Sequence, residues 1–164
     1  MKRMIGGLAV LALLALADTS QADPRKFRAN LDGYQENPSI STGATGTFRA
    51  KLNEAGDTLE FELTYEDLEG GNPPLFAHIH LSRVGVNGGV MAFLCGGSTK
   101  PPCLMAPALV TGMIMAADVI GPTGQGVAAG DFDELIRAMR EHSAYANVHT
   151  TTYTTGEIRG QIKP

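Results

Sequence analysis

The stretch GTFRAKLNEAGDTLEFELTY, residues 46–65, decides the fold class, because apolar residues recur at every second position on both sides of a turn. Such alternation places the apolar side chains on one face of each strand and the charged or hydroxyl side chains on the other. The segment NEAGD between the two runs supplies the Asn, Gly and Asp that tight turns favour. The predicted inward residues are Phe48, Ala50 and Leu52 before the turn, and Leu59, Phe61, Leu63 and Tyr65 after it.

Short alternating segments continue outward from this hairpin in both directions. The further predicted strands are Phe27–Leu31, Phe76–Ser82, Val90–Cys95, Leu109–Met115, Ala144–His149 and Glu157–Ile162, separated by stretches rich in Gly, Pro, Asn or Thr. The segment DFDELIRAMREH, residues 131–142, instead has helical spacing, with Asp131 as its N-cap. The pattern predicts an all-β fold, an antiparallel Greek-key or immunoglobulin-like β-sandwich with one short helix, formed by residues 23–164 as a single domain.

The N-terminus, MKRMIGGLAVLALLALADTSQAD, has two basic residues followed by an apolar run. The run is shorter than the roughly 20 residues that span a bilayer, and it ends in small residues suited to cleavage. Residues 1–22 are therefore predicted to be a signal peptide, so that the mature chain begins at Asp23, with Asp18 as the alternative. The expected location is periplasmic or secreted, with no membrane association after cleavage.

The charge of the chain bears on its possible partners, and its two cysteines bear on its covalent structure. The chain has 13 Lys and Arg against 17 Asp and Glu, a net charge of −4, without a basic cluster. Nucleic acid is excluded as a partner, because its recognition needs a basic surface. Cys95 and Cys103 flank a Gly, Ser and Pro loop and are predicted to form a disulfide, since an exported protein meets oxidising conditions. A thiolate metal site is the alternative, although the spacing is wider than that of a C-x₂₋₄-C knuckle.

Three of the four histidines lie on two strands with matching alternation. His78 and His80 share one face of FAHIHL, and His149 shares a face of AYANVH with Tyr145 and Asn147. If the apolar faces of both strands point into the core and the strands are neighbours, the imidazoles meet outside at about 5 Å. Imidazole suits copper, zinc and nickel. We therefore predict a surface metal site formed by His78, His80 and His149, with affinity falling below about pH 6.5, the ordinary histidine pKa.

Other residues whose side chains could bind a metal or take part in a reaction have simpler interpretations. The alternative for His78 and His80 is that they are strand residues whose ring nitrogens form hydrogen bonds without binding a metal. His142, just past the helix, is predicted to interact with the helix C-terminus. Met113 and Met115 share a strand face and are expected in the core, with a thioether copper site as the alternative. Glu157 and Arg159 are expected to form a cross-strand ion pair or brace an edge. No set of residues typical of catalysis is recognised.

Several motifs together resemble the chordin-type (CHRD) domain family. They are FRANLDGYQENPSISTGATGTFRAKL, FAHIHL, VNGGV and AYANVHTTTYTTGEIRGQI, in this order over roughly residues 27–162. The resemblance implies a β-sandwich found in secreted bacterial proteins and, as repeats, in the animal extracellular protein chordin, without an established enzymatic activity. The chain departs from the family pattern at Gly89, where Pro often follows Asn-Gly, and in the Cys95–Cys103 loop, which not every member has.

A looser likeness is to copper/zinc superoxide dismutases, which also carry an H-x-H strand, a late histidine and a nearby disulfide. No histidine lies between His80 and His142, so the bridging and zinc ligands of that family have no counterpart, and at most a mononuclear copper-type site is implied. Three hypotheses follow, in order of preference. They are an exported protein that binds copper or zinc, a non-enzymatic module that binds another extracellular protein, and a mononuclear copper redox enzyme.

Overall fold

The computed structural model describes residues 24–97 and 99–164. The predicted signal peptide, residues 1–22, lies outside the described residues and stays a prediction. The strands are β1 (Lys26–Asp32), β2 (Thr45–Leu52), β3 (Leu59–Glu66), β4 (Phe76–Leu81), β5 (Val90–Gly96), β6 (Ala108–Ile114), β7 (Ala144–His149) and β8 (Ile158–Gln161), and the helix is α1 (Phe132–Arg140). Within the described part of the chain, no helix is both long and apolar enough to cross a membrane.

The eight strands form one antiparallel sheet in the order β5-β4-β7-β8-β1-β2-β3-β6. The all-β prediction with one helix is therefore confirmed, although hydrogen bonds join all strands into one sheet instead of two. The sheet is nearly barrel-like, because its edge strands β5 and β6 approach each other. Two hydrogen bonds cross near this seam, from Ile120 N to Met91 O at 2.9 Å and from Lys100 Nζ to Met113 O at 2.7 Å.

The hairpin of β2 and β3 has the alternation expected of it. All seven predicted inward residues are buried, with at most 7% of any one exposed. The register pairs Phe48 with Leu63 and Ala50 with Phe61. Burying a side chain such as Phe48 stabilises the fold by roughly 1.5–3 kcal/mol. The hairpin thus contributes one wall of a single core that also takes in α1.

Helix α1 begins directly after its predicted N-cap, Asp131. The carboxylate of Asp131 accepts a hydrogen bond from Glu134 N at 3.3 Å, which satisfies one of the free amides of the first turn. Arg137 pairs with Glu134 at 2.6 Å, one turn along the exposed side. The opposite side is buried, through Phe132, Leu135, Ile136, Ala138 and Met139. The helix therefore closes part of the core next to β7.

The predicted core location of Met113 and Met115 is wrong. Their side chains are 53% and 47% exposed. The register of β6 on β3 explains the position of Met113, because it pairs with the exposed Glu60 while Ile114 pairs with the buried Leu59. The apolar side chain therefore lies on the outer face of an edge strand.

Cys95 and Cys103 form the predicted disulfide, with an S–S distance of 1.97 Å. Gly96 N donates to Pro101 O at 2.7 Å within the same loop. Both cysteines are buried against the core. The bond therefore ties the end of β5 to the segment that leads into β6.

Reducing this disulfide is expected to lower the free energy of unfolding by about 2–3 kcal/mol, because the closed loop restricts the unfolded chain. Urea denaturation with and without reductant measures the change. The matched control is the double variant Cys95→Ala/Cys103→Ala, whose midpoint should not respond to reductant. An unchanged midpoint for the parent protein would show that the bond does not stabilise the fold.

Candidate metal centre

The two histidine strands are neighbours in the sheet, the step that the sequence left open. Strand β4 pairs with β7 in antiparallel register, with His78 opposite Asn147 and His80 opposite Tyr145. His78 Nδ1 lies 3.1 Å from His149 Nε2. Ligand atoms of His78, His80 and His149, one from each, lie within 4.8 Å of one another. The predicted convergence of three imidazoles is therefore present.

Two main-chain carbonyls fix the orientation of two of the rings. His80 Nδ1 donates to Gly88 O, and His149 Nδ1 donates to Thr154 O, both at 2.9 Å. Because a carbonyl oxygen can only accept, each Nδ1 carries the proton and each Nε2 keeps its lone pair. Histidines that bind metals are commonly held in this way through the second ring nitrogen.

The His80 Nε2 atom has an unusual position. It is buried, and it has no hydrogen-bond partner among the described residues. A buried acceptor without a partner costs about 1–3 kcal/mol. An ion bound by this lone pair would remove that cost.

The cluster is buried, so the prediction of a surface site is wrong. His78, His80 and His149 are only 5%, 8% and 6% exposed. The alternation predicted for β7 is present, since Ala146 and Val148 face the core. The side chains on the other face of β7 are buried as well. The loops that carry Gly88 and Thr154 contact the rings of His80 and His149 there. The ring centroids of Phe76 and Phe93 lie 4.8 and 4.4 Å from that of His78.

Burial controls the protonation of the three rings. It lowers the pKa of His78 to about 3, with further lowering from His149 and His80. It lowers the pKa of His80 to about 4, against the opposing effect of the hydrogen bond to Gly88. The pKa of His149 is also lowered by burial. All three imidazoles are therefore neutral at neutral pH, and burial favours protonation at a lower pH than the 6.5 of an ordinary histidine.

Comparison with known proteins shows the family to which the chain belongs. Residues 27–162 match the CHRD domain family, a segment that includes almost all of β1 and every later strand. The chain belongs to the CHRD family. We found no match among curated proteins or among solved structures. The likeness to superoxide dismutases stays an analogy.

The second histidine of the CHRD domain belongs to a stack of three side chains. The His80 ring lies parallel to that of Tyr145, with centroids 4.7 Å apart and an interplanar angle of 4°. The guanidinium carbon of Arg159 lies 3.4 Å from the centroid of the same tyrosine ring. Cation–π contacts of this kind stabilise by about 2 kcal/mol when desolvated. The stack fixes the plane of the His80 ring.

Arg159 also holds the loop that positions His80. Its guanidinium donates to Arg83 O at 3.1 Å, to Val86 O at 2.9 Å and to Asn87 Oδ1 at 3.1 Å. Gly88, whose carbonyl accepts from His80, follows directly in the chain. Of the two roles expected for Glu157 and Arg159, the cross-strand ion pair does not form between them, because the two side chains bind different loops. The edge brace is also wrong, because β8 lies between β7 and β1 inside the sheet.

Glu157 instead receives four hydrogen bonds and is fully buried. The donors are Thr42 Oγ1 at 2.9 Å, Glu69 N at 2.7 Å, Gly70 N at 3.0 Å and Thr150 Oγ1 at 2.8 Å. One carboxylate therefore joins three segments of the CHRD domain. One of these segments begins at Thr150, directly after His149.

Glu36, which the sequence did not single out, lies in the polar stretch QENPS. Its carboxylate accepts a hydrogen bond from Asn147 Nδ2 in the interior of the CHRD domain. Burial raises the pKa of Glu36 to about 7, against the opposing effects of Arg159 and Asn147. The alternation of β7 did indicate that Asn147 shares a face with His149, but no local pattern identifies its partner. His142 is exposed and lies outside the group of three histidines.

Proposed function

We propose that this CHRD domain binds one transition-metal ion, copper or zinc, through His78, His80 and His149. The observation that carries the proposal is the convergence of these rings around the unpartnered His80 Nε2. Buried polar atoms are almost always satisfied in folded proteins, so an orphan atom among potential ligands points to a missing partner.

The donor arrangement fits an ion of this class. Three nitrogens that each lie about 2.0–2.1 Å from one ion are roughly 3.3–3.6 Å apart. The His78 Nδ1 to His149 Nε2 distance is already 3.1 Å, and the whole donor set lies within 4.8 Å. Separations longer than this range would have to shorten on binding, through rotation of the side chains.

The metal would take the place of the hydrogen bond between His78 and His149 without net release of a proton. Because His149 Nδ1 donates to Thr154 O, its Nε2 accepts a hydrogen bond from His78 Nδ1 in the metal-free protein. Binding through both nitrogens requires the His78 proton to move to Nε2, which keeps the ring neutral. No ligand has to be deprotonated to the charged imidazolate.

The predicted export signal supports a periplasmic or secreted location for this function. The Cys95–Cys103 disulfide agrees with an oxidising compartment. The family match agrees with an extracellular module. An ion taken up there would be shielded from solvent by the covering loops.

A second candidate function is a protein-interaction module. Tyr34 and Val84 are 71% and 72% exposed. Their loops are tied together where Asn87 Nδ2 donates to Asn37 O at 2.9 Å. Partner binding that is indifferent to chelators would favour this candidate. The redox-enzyme hypothesis ranks third, because a substrate would have to reach an ion held by imidazoles that are at most 8% exposed.

The proposal is tested by purifying the exported protein without an affinity tag and measuring its metal content. We expect close to one copper or zinc ion per chain. Titration of the chelator-treated protein by calorimetry should then show a single saturable site with an affinity tighter than micromolar. Protein that is isolated metal-free and that binds neither ion in the titration would leave the interaction module as the better candidate.

The pH dependence of binding provides a further prediction. Three exposed histidines with ordinary pKa values would lose affinity by more than about 10⁴-fold between pH 7.5 and 5, because each ring must first release a proton. Here the pKa values of His78 and His80 are about 3 and about 4, so protons compete only at lower pH. Burial also lowers the pKa of His149, so we expect less than about a 30-fold change over this range in competition titrations, the loss that a single ordinary histidine would give. A fall of several orders of magnitude would contradict the buried, neutral state of the rings.

A further inference from the structure

The three donors of the site are all neutral nitrogens. Among the His, Cys, Asp and Glu side chains that the structure describes, the group contains His78, His80 and His149 without a carboxylate or thiolate. We infer that the site prefers a monovalent cuprous ion over a divalent zinc ion. This inference rests on the proposed function and specifies its ligand.

The nearby carboxylates are already engaged by other groups. Glu157 holds four hydrogen-bond donors through both of its oxygens. Glu36 accepts a hydrogen bond from Asn147. The positive charge of Arg159 also interacts with the Glu36 carboxylate and favours its charged form. Neither carboxylate is a member of the ligand group. The full charge of a bound ion would therefore remain uncompensated by its ligands.

The charge of the ion decides how costly this is. The work of transferring an ion into a buried site grows with the square of its charge, so a divalent ion costs about four times as much as a monovalent ion of the same size. A buried cation is already present, since Arg159 is 1% exposed and acts electrostatically on His80. Its repulsion for a bound ion also doubles with the second charge.

On the side of the site where Phe76 and Phe93 pack, the surroundings also favour three ligands over four. Zinc with three protein ligands takes a water or substrate molecule as its fourth ligand, and an ordered water needs polar partners. The rings of Phe76 and Phe93 pack against His78, and Phe76 also lies 4.9 Å from His149. These rings offer no conventional hydrogen-bond acceptor. Cuprous ion has the same filled d shell as zinc but carries a single charge, and it is stable with three nitrogen ligands and no water.

Competition titrations test this preference on the full mature protein. Cuprous affinity is measured anaerobically against a chromogenic cuprous chelator, and zinc affinity against a fluorescent zinc chelator at the same pH. We expect cuprous ion to bind at least about 1,000-fold more tightly than zinc. Equal or tighter zinc binding would overturn the inference while leaving the metal site intact. Failure of both ions to bind would refute the proposed function itself.

Substitution of Phe93 gives a second, independent readout. Its ring centroid lies 4.4 Å from that of His78, so Phe93→His places a fourth nitrogen donor beside the site. Zinc affinity is expected to rise at least about tenfold in this variant, because zinc prefers four ligands. The matched control Phe93→Leu adds no donor and should leave zinc affinity within about threefold of the parent. An equal change in both variants would contradict the role assigned to ligand number.

Discussion

Replacing His80 with alanine is expected to weaken metal binding by at least about 100-fold. The reason is that the variant removes the buried Nε2 lone pair, one of three donors, whereas disturbing only a supporting contact already costs about 10–100-fold. Calorimetric or competition titration of the metal-free variant measures the loss. Circular dichroism before titration checks that the sheet is retained, since His80 also donates to Gly88 O.

His142→Ala is the matched control for this experiment. It removes an imidazole from the same protein at an exposed position outside the group of three. Its affinity should stay within about threefold of the parent, and His149→Ala should behave like His80→Ala. A comparable loss in the His142 variant would place the binding site elsewhere. Unchanged affinity in the His80 variant would remove this ring from the ligand set.

Glu157→Ala is expected to give the largest loss of stability, about 3–5 kcal/mol. The variant leaves four donors without an acceptor in the interior, two main-chain amides at residues 69 and 70 and two threonine hydroxyls. Urea or thermal unfolding of the metal-free protein measures the change. Metal affinity should also fall, because the loop that follows His149 loses one of its attachments.

The control for Glu157 is Glu62→Ala. Glu62 is a glutamate of strand β3 with an exposed side chain, so its removal should change stability by less than about 0.5 kcal/mol. Comparable losses in the two variants would show that the effect comes from net charge. A loss below about 1 kcal/mol for Glu157→Ala would mean that water replaces the carboxylate at little cost.

The strands and the helix were predictable because their signals are local. The alternation from Leu59 to Tyr65 identifies the buried face within one strand, and Asp131 marks the helix start within one turn. The order of strands depends on contacts between distant segments. Local sequence therefore predicts the elements of the sheet but leaves open the pairing of β1 with β8 and of β3 with β6.

The candidate site was predictable in its residues but not in its environment. Two strands with histidines at alternating positions suggested that His78, His80 and His149 share a face, and the pairing of β4 with β7 brings them together. Alternation cannot show whether the outer face is covered by loops. The loops here are held by Glu157 and Arg159 through long-range hydrogen bonds, and the local sequence carries no signal for such partners.

The most direct test of the central claim is anomalous diffraction from crystals of the protein loaded with copper, recorded on both sides of the copper absorption edge. We expect a single strong anomalous peak between the rings of His78, His80 and His149, with three nitrogens at about 2.0 Å. A copper peak at another position, or the absence of a peak at these rings in fully loaded protein, would contradict the claim.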